Sequence, residues 1–418
     1  MRFYVFVVLL FFTTMCAISD TVATLHTFGT AGYVYSTNSN QYLLRDLSQN
    51  HGMGNESDPF ASDSRLGVQL NLDLTQNLSF ITQEVYANRI TQNLNDNIEW
   101  ALLRWTVNEN YTIRIGRIGT DIFALSDQRN VGVTYNWVRP PTEIYNFMPV
   151  YSVDGADIKY SRNYNDNNTF SIKLFGGKSN PVFYVTDNNP GKNSELDLYP
   201  VLGYTMSLEN NKTIARLSYV YTKEMSQLPD AQPLINAAQM LSPLYSPFNN
   251  INSIAQFQNS TLQFYDFSVN YDDGKWWLYN ENTLNLFSIK AKTDKVAFAF
   301  GLGRHFTLYG IHILPFVSYS RVYPLRHYYQ FQYPQTLQNS NLNGVLNMFN
   351  NGYFPGMAEN QYTQTFGIRI DTTEHTDVKI QFDKVTVIGY GGQEWQNNLG
   401  MPTIPETNII SVTFDWSY

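Results

Sequence analysis

The stretch that decides the fold is the end of the chain, Thr407-Asn-Ile-Ile-Ser-Val-Thr-Phe-Asp-Trp-Ser-Tyr418. If this stretch is a strand, one of its faces is entirely apolar and holds Ile410, Val412, Phe414, Trp416 and Tyr418. The other face is polar except for Ile409. A period of two residues predicts a β-strand with one face in an apolar medium and one in water. Aromatic residues at the end of the apolar face are typical of a barrel wall in lipid, although the last strand of a soluble sandwich also alternates.

The start of the chain predicts export. Arg2 precedes an uninterrupted apolar run from Phe3 to Phe12, and Ala17 and Ser19 then have the spacing of a cleavage site. We therefore predict a signal peptide over 1–19 and one mature domain over 20–418. Lipid attachment at Cys16 is the alternative, and the Thr-Thr-Met that precedes this residue disfavours it.

Composition agrees with an exported, membrane-embedded sheet. Cleavage would remove the only cysteine, and no later run of 18 apolar residues predicts a helical membrane span. The 418 residues are 15% aromatic, and only 15% are charged, which is well below the usual quarter. Tyrosine is abundant, with 30 residues, and its amphipathic ring suits the boundary between lipid and water. The net charge of −8 argues against a nucleic-acid partner.

Alternation along the chain predicts about sixteen strands, most of them ten to fourteen residues long, as a tilted membrane strand requires. The predicted strands are 26–37, 65–75, 78–89, 99–107, 111–119, 152–163, 168–178, 197–209, 212–224, 260–272, 275–288, 294–306, 308–322, 360–373, 376–389 and 407–418.

Connection lengths between these strands alternate. Short turns rich in Asn, Asp or Gly, such as Asn210-Asn211 and Asp273-Gly274, alternate with mostly long loops. This pattern predicts an all-β, antiparallel transmembrane barrel with short periplasmic turns, long external loops and both termini in the periplasm. A four-bladed propeller also uses sixteen strands, but no blade motif repeats.

Opposite the apolar faces, the strands carry charges of both signs, which indicates a hydrated lumen. For any single charge, pairing with a neighbour on the next strand is the simpler explanation. The charged residues assigned to the inward faces are Arg65, Asp73, Arg104, Arg114, Asp157, Lys159, Lys173, Arg216, Arg369, Asp371, Asp377, Lys379, Asp383 and Asp415.

The third long connection, 120–151, is the most informative loop. It follows the strand Tyr111-Thr-Ile-Arg-Ile-Gly-Arg-Ile-Gly119 and contains Trp137-Val-Arg-Pro-Pro-Thr-Glu-Ile-Tyr145. At these two stretches the chain resembles the Gram-negative porin family, and the resemblance in architecture covers the mature chain. The apolar content of the loop also predicts that it packs against something.

The resemblance implies that the third loop folds into the barrel and narrows the pore, with acidic loop residues facing wall arginines. The loop lacks the Pro-Glu-Phe-Gly-Gly turn of general porins, and Arg114 and Arg117 differ in strand parity, so only one points into the lumen unless a bulge intervenes. The constriction residues carried over are Arg104, Arg114, Arg117, Asp121, Asp127, Arg129, Arg139 and Glu143. Arg129 and Arg139 lie in the loop itself and could belong to either the loop side or the wall side of the constriction.

The resemblance also implies the partners. We expect outer-membrane lipid, small hydrophilic solutes and ions, a homotrimer, and the barrel-assembly machinery, which would recognise the terminal strand through Phe414, Trp416 and Tyr418. Whether the pore prefers one ion or solute stays open.

No chemistry beyond diffusion is predicted. The six histidines lack metal-ligand spacing, and His305 and His312 are expected at the membrane boundary. No nucleophile motif, phosphate loop or cofactor signature occurs. A barrel-embedded esterase or phospholipase is one alternative, and it would need a serine near a histidine on the lipid face. The other is a non-conducting barrel that acts as an adhesin or surface-binding protein through the long loops 225–259 and 323–359. Deletion of 323–359 should abolish such binding and spare the conductance of a pore.

Overall fold

The computed structural model describes residues 22–38, 41–54, 58–91, 93–146, 150–165, 167–184, 193–225, 231–335, 339–389, 395–396 and 405–418. The predicted signal peptide lies outside these residues and stays a prediction. Sixteen antiparallel strands within them form one closed barrel. They are β1 (Val22–Ser36), β2 (Arg65–Thr75), β3 (Leu78–Ala87), β4 (Ile98–Thr106), β5 (Tyr111–Gly119), β6 (Ser152–Asn165), β7 (Asn168–Ser179), β8 (Leu198–Glu209), β9 (Thr213–Glu224), β10 (Thr261–Asp272), β11 (Trp276–Phe287), β12 (Lys295–Arg304, continued by Phe306–Leu308), β13 (Ile311–Pro324), β14 (Gln361–Thr373), β15 (Thr376–Val387) and β16 (Glu406–Ser417).

The first strand closes the barrel. β1 pairs with β2 through its first part and with β16 from Phe28↔Ser417 to Ser36↔Ile409. Backbone hydrogen bonds of 2.7 Å in both directions join Thr27 to Tyr418. Closure pairs every strand edge, which a sheet in hydrocarbon requires. Both described ends therefore lie at the end of the barrel that carries the short turns.

The two faces of each strand separate as the alternation predicts. On β16, Ile410 and Phe414 point outward and are 45% and 43% exposed, whereas Ser411 and Asp415 point inward and are fully buried. Many outward side chains elsewhere are also apolar, as with Leu103 on β4. The exterior therefore suits lipid, and the polar residues line the inside.

All sixteen predicted strands are confirmed, with one misplaced turn. The sequence predicted that Thr307 separates β12 from β13, but Thr307 pairs with His312 and the turn is Tyr309–Gly310. Both turn residues have positive φ, 52° and 82°, as a two-residue type I′ hairpin requires. Glycine takes this conformation without strain, so Gly310 was the signal for the turn.

Short helices occupy the loops. They are α1 (Leu94–Asn97), α2 (Thr142–Tyr145), α3 (Gln232–Met240), α4 (Ile251–Ala255), α5 (Ser340–Met348) and α6 (Phe354–Gly356), with 3₁₀ turns at Gly132–Thr134 and Ser246–Asn250 and a π turn at Phe349–Tyr353. In the described ranges, none of the helices is long and apolar enough to span a membrane.

Two long loops form a structure of their own, which we call the outer cap (231–259, 327–335 and 339–358). Its core packs Phe248 against Phe331 with ring centroids 5.0 Å apart, and Phe331 against Phe349 at 5.4 Å. Burial of these rings holds the loops together at the long-loop end of β9 to β14.

Candidate functional site

The third long connection lies inside the barrel, as the resemblance implied, and we call its described residues, 120–146 and 150–151, the inner loop. It leaves β5 at Thr120, whose N–H donates to the carbonyl of Tyr151 at 3.0 Å. Between these two points it contacts the inward faces of strands on most of the circumference. The loop divides the lumen into a filled side and an open side.

Aromatic packing fixes the filled side. The ring of Trp137 meets those of Trp277 at 4.8 Å and Tyr279 at 4.7 Å, both edge-on. Its indole N–H donates to the Ser318 hydroxyl at 3.0 Å. Phe123 packs against Phe264 at 5.1 Å. Edge-on aromatic pairs and the burial of large rings stabilise the loop on β10, β11 and β13.

Buried ion pairs fix the far end of the loop. Arg139, 4% exposed, donates to Asp63 at 2.7 Å and to Asp383 at 2.9 Å, and it also bonds Ser411. Asp63 belongs to the first long connection, so one arginine ties two loops to the wall. Desolvation opposes the charge of Arg139, but its two carboxylate partners outweigh that effect and raise its pKa.

Asp121 fixes the near end. Its carboxylate accepts from Lys173 on β7 at 3.0 Å and from Arg216 on β9 at 2.6 Å. Burial alone would raise the pKa of Asp121, but these two cations outweigh burial and lower it to about 2. The residue is therefore ionised at neutral pH and acts as an anchor.

Of the three acidic loop residues expected at the constriction, only one is exposed. Asp127 is exposed, whereas Asp121 is buried in its ion pairs. Glu143 is 1% exposed and accepts from Ser320 at 2.6 Å and Gln361 at 3.0 Å, so it docks the loop instead of lining the pore. The sequence could not distinguish docking acids from pore acids, because both lie in the same loop.

On the open side, a polar cavity of about 240 Å³ lies between the inner loop and the wall. Its charged lining residues are Arg104, Arg114, Asp121, Asp127, Asp157, Lys159, Lys173, Glu209 and Arg216. Five of these are basic and four acidic. Acidic and basic groups on facing surfaces set a transverse field on a solute in the cavity.

Pairing decides which of these charges are available to a solute. Arg114 and Asp157 form a bidentate pair, in which Nη2 donates to Oδ2 at 2.6 Å and Nε donates to Oδ1 at 3.1 Å. Arg104 donates to Ser79 at 3.2 Å, and Ser79 donates to Asp73 at 2.7 Å. In the part of the chain that the structure describes, neither Arg104 nor Lys159 has an acidic group within ion-pair distance.

Two of the candidate arginines lie elsewhere. Arg117 faces outward with Ile115, at the long-loop end, and pairs with Asp154 at 2.8 Å. Its assignment to the constriction is therefore wrong, for the reason of strand parity. Arg129 pairs with Glu99 on β4 at 3.0 Å and lies over the ring of Tyr151, so it holds the loop to the wall.

Several charged side chains on the inward faces bind backbone carbonyls of the inner loop. Arg65 donates to the carbonyl of Asn130 at 2.9 Å, Lys379 to that of Gly132 at 2.6 Å, and Arg369 to that of Tyr135 at 3.3 Å. These three side chains bind the inner loop. Arg65 and Lys379 are buried, so the expectation that these two face water is wrong, whereas the Arg369 side chain is still 18% exposed. Loop carbonyls near the wall explain the burial, and no strand pattern could have revealed them.

The other inward and terminal residues take the following places. Asp371 forms an ion pair with Arg369 at 2.7 Å, and Asp383 forms one with Arg139 beneath the loop. The outward face of the last strand holds Phe414, and its ring stacks on that of Trp416 with centroids 6.1 Å apart. Tyr418, 62% exposed, contacts the ring of His375 at the short-turn end.

His305 and His312 were expected at the membrane boundary but face the lumen. The parity of Ala299 on β12 and Leu314 on β13, both buried under the inner loop, fixes this direction. The two residues lie seven apart in sequence, on a hairpin whose turn was misplaced, and this hid their proximity.

No protein-family model and no curated protein sequence matches the chain. Solved structures do match. The anion-selective porin from Comamonas acidovorans superposes with a TM-score of 0.54 and 11% identity, over 96% of this chain and 100% of that one. OmpF of Salmonella typhi, in complex with Daunomycin, gives 0.52 and 12%, over 95% and 97%. The chain has the porin fold. At this identity the likeness concerns the fold, and the contacts above come from this chain alone.

Proposed function

We propose that the protein is an outer-membrane porin of a Gram-negative bacterium, through which ions and small hydrophilic solutes diffuse passively. The observation that carries the proposal is the inner loop, which packs on one side of the lumen and faces a charged, polar cavity on the other. A barrel whose interior is held by buried ion pairs keeps a fixed opening, as a diffusion pore requires.

Single-channel recording tests the proposal. Refolded protein in a planar bilayer should give stable conductance steps that scale with bulk salt, because ions in a water-filled pore move nearly as in solution. Correctly folded barrel that gives no steps at any salt concentration would refute a diffusion pore.

From the resemblance we also propose that the protein forms a homotrimer. Cross-linking in detergent should then give three times the mass of one chain.

From the same resemblance we propose that the barrel-assembly machinery recognises the apolar face of β16. Replacing Phe414 by Asp should reduce insertion, whereas replacing the inward Thr413 by Ser should not.

The outer cap favours a second candidate function, recognition of a neutral surface. No Asp, Glu, Lys or Arg occurs in 231–259 or 327–358, and the described part of the cap has its own aromatic core. A folded, uncharged cap rich in Asn, Gln and Tyr suits hydrogen bonding to an uncharged polyol, not ionic contacts.

A core variant of the cap separates the two functions. Phe331→Ala should destroy the cap, since Phe331 is 3% exposed between Phe248 and Phe349. We expect binding to an array of neutral glycans to disappear while conductance persists. Met348→Ala, at a 63% exposed position, is the matched control for folding. Equal glycan binding by wild type and Phe331→Ala would dismiss the cap as a recognition surface.

A further inference from the structure

Two histidines meet in the lumen near the short-turn end. His305 follows the main part of β12, and His312 lies at the start of β13, on the other side of the Tyr309–Gly310 turn. The Nδ1 atom of His305 lies 2.9 Å from the Nε2 atom of His312. The ring centroids are 4.9 Å apart and the planes differ by 28°. The two nitrogens lie in hydrogen-bond geometry, so one points at the other.

A carboxylate holds the far side of each ring. Nε2 of His305 lies 3.1 Å from Asp272 on β10, and Nδ1 of His312 lies 2.6 Å from Asp371 on β14. A carboxylate accepts the N–H of an imidazole, so each neutral ring keeps its hydrogen on the carboxylate side. The facing nitrogens then both present lone pairs, which repel unless a cation lies between them.

We propose that His305 and His312 form a binding site for a divalent transition metal ion of the Zn²⁺ or Cu²⁺ class. Imidazole nitrogen is a preferred ligand of these ions, whereas Mg²⁺ and Ca²⁺ prefer oxygen. Zn–N bonds of about 2.0–2.1 Å in tetrahedral geometry need nitrogens roughly 3.3 Å apart. The two nitrogens therefore have to separate by only a few tenths of an ångström, and the rings have to turn so that both lone pairs point at the ion.

The carboxylates fit the surroundings of a metal site. A metal-bound histidine usually donates its other N–H to a carboxylate, which fixes the tautomer and orients the ring. Here this happens twice, with Asp272 and Asp371. Arg369 donates to the second oxygen of Asp371 at 2.7 Å, and so fixes that carboxylate in turn.

Water is expected to complete the coordination. Among the described residues, no group of three or more His, Cys, Asp or Glu side chains is arranged to hold a metal ion. The side chains of His312 and Asp272 are 39% and 41% exposed, so an ion can reach the pair from the lumen. The site therefore has two protein ligands and is exchangeable.

Calorimetry on the full mature chain without a histidine tag tests the proposal. At pH 7.5 we expect one Zn²⁺ or Cu²⁺ per chain and no binding of Mg²⁺. His305→Ala and His312→Ala should each weaken binding at least tenfold. His375→Ala, in the β14–β15 turn, is the matched control and should bind as wild type does.

Electron paramagnetic resonance of bound Cu²⁺ gives a second readout. Two nitrogen ligands are expected in the wild type and one in either variant, and this measurement does not require that the barrel conducts. Binding that is unchanged in both variants, or a spectrum without nitrogen ligands, would overturn the site. A non-conducting barrel with the two-nitrogen spectrum would refute the diffusion pore alone.

The competing occupant of the gap is a proton shared between the rings. The titratable and charged groups that face the pair are Asp272, Asp371 and Arg369. A two-nitrogen spectrum of bound Cu²⁺ distinguishes the metal ion from this proton.

Discussion

At the scale of single residues, buried charges determine where the inner loop lies. Arg139 and Asp121 lie at its two ends, and each satisfies two partners of opposite charge. A buried ion pair contributes little net stability compared with an apolar contact, but removal of one partner leaves a buried charge uncompensated. The loop is therefore held in one position, and any single loss at these points is costly.

The first prediction concerns Arg139. Arg139→Ala leaves Asp383 buried without its cation, and it leaves Asp63 with only the longer pair to Arg45 at 3.7 Å. The free energy of unfolding should therefore fall by about 3–5 kcal/mol. Urea unfolding of the barrel in lipid vesicles measures this change. Arg326→Ala, which removes a surface pair with Asp294 at 3.7 Å, is the control and should cost under about 1 kcal/mol. Equal losses in the two variants would disprove the anchoring role.

The second prediction concerns pH. The pKa of Asp121 is lowered from 3.8 to about 2 in the folded protein, so its ion pairs stabilise the loop above pH 4. That contribution, about 2 kcal/mol, is lost as pH falls from about 4 to 2. Wild-type conductance should become noisier in this window. Asp121→Asn lacks the titrating group and should be equally noisy at pH 6 and pH 3; a pH-dependent increase in the variant would assign the effect to another group.

At the scale of elements, the inner loop is a packed structure and not a flexible connection. Residues 120–146 contribute Ile122, Phe123, Trp137 and Ile144 to an apolar core, and side chains of the barrel wall form its other half. Burial of so much apolar surface explains why the loop enters the barrel, since outside it these side chains would face water.

The third prediction removes the central aromatic contact. Trp137→Ala leaves a cavity beside Trp277, Tyr279 and Phe316, which typically costs about 3–5 kcal/mol. We expect the barrel to stay folded while the loop moves, so single-channel steps should vary more in size. Trp105→Ala deletes an outward tryptophan, 50% exposed on β4, and should leave the steps uniform. Uniform steps in Trp137→Ala would show that the wall holds the loop without this ring.

At the scale of the whole molecule, the net charge of −8 does not describe the path of a solute. Most inward charges are paired or lie under the loop, and the local field at the cavity depends on the few that are not. Charges act over a Debye length, about 8 Å in physiological salt, so the charges of the short turns and the external loops matter little there.

The fourth prediction tests this local control. Arg104→Gln with Lys159→Gln removes two cavity cations that have no ion-pair partner among the described residues. The reversal potential in a salt gradient should shift toward cation preference. Lys212→Gln with Lys275→Gln removes the same charge from the short turns and should shift it far less. Equal shifts would mean that the total charge, and not the cavity, sets the preference.

The sequence alone determined the wall of this barrel, and tertiary structure decided its interior. Alternation is local, so residues such as Leu103 and Arg104 reveal their faces without knowledge of any partner. The docking of Glu143, the outward position of Arg117 and the meeting of His305 with His312 depend on distant residues or on one turn. Such pairings follow from closure of the sheet and the path of the inner loop, which no local pattern encodes.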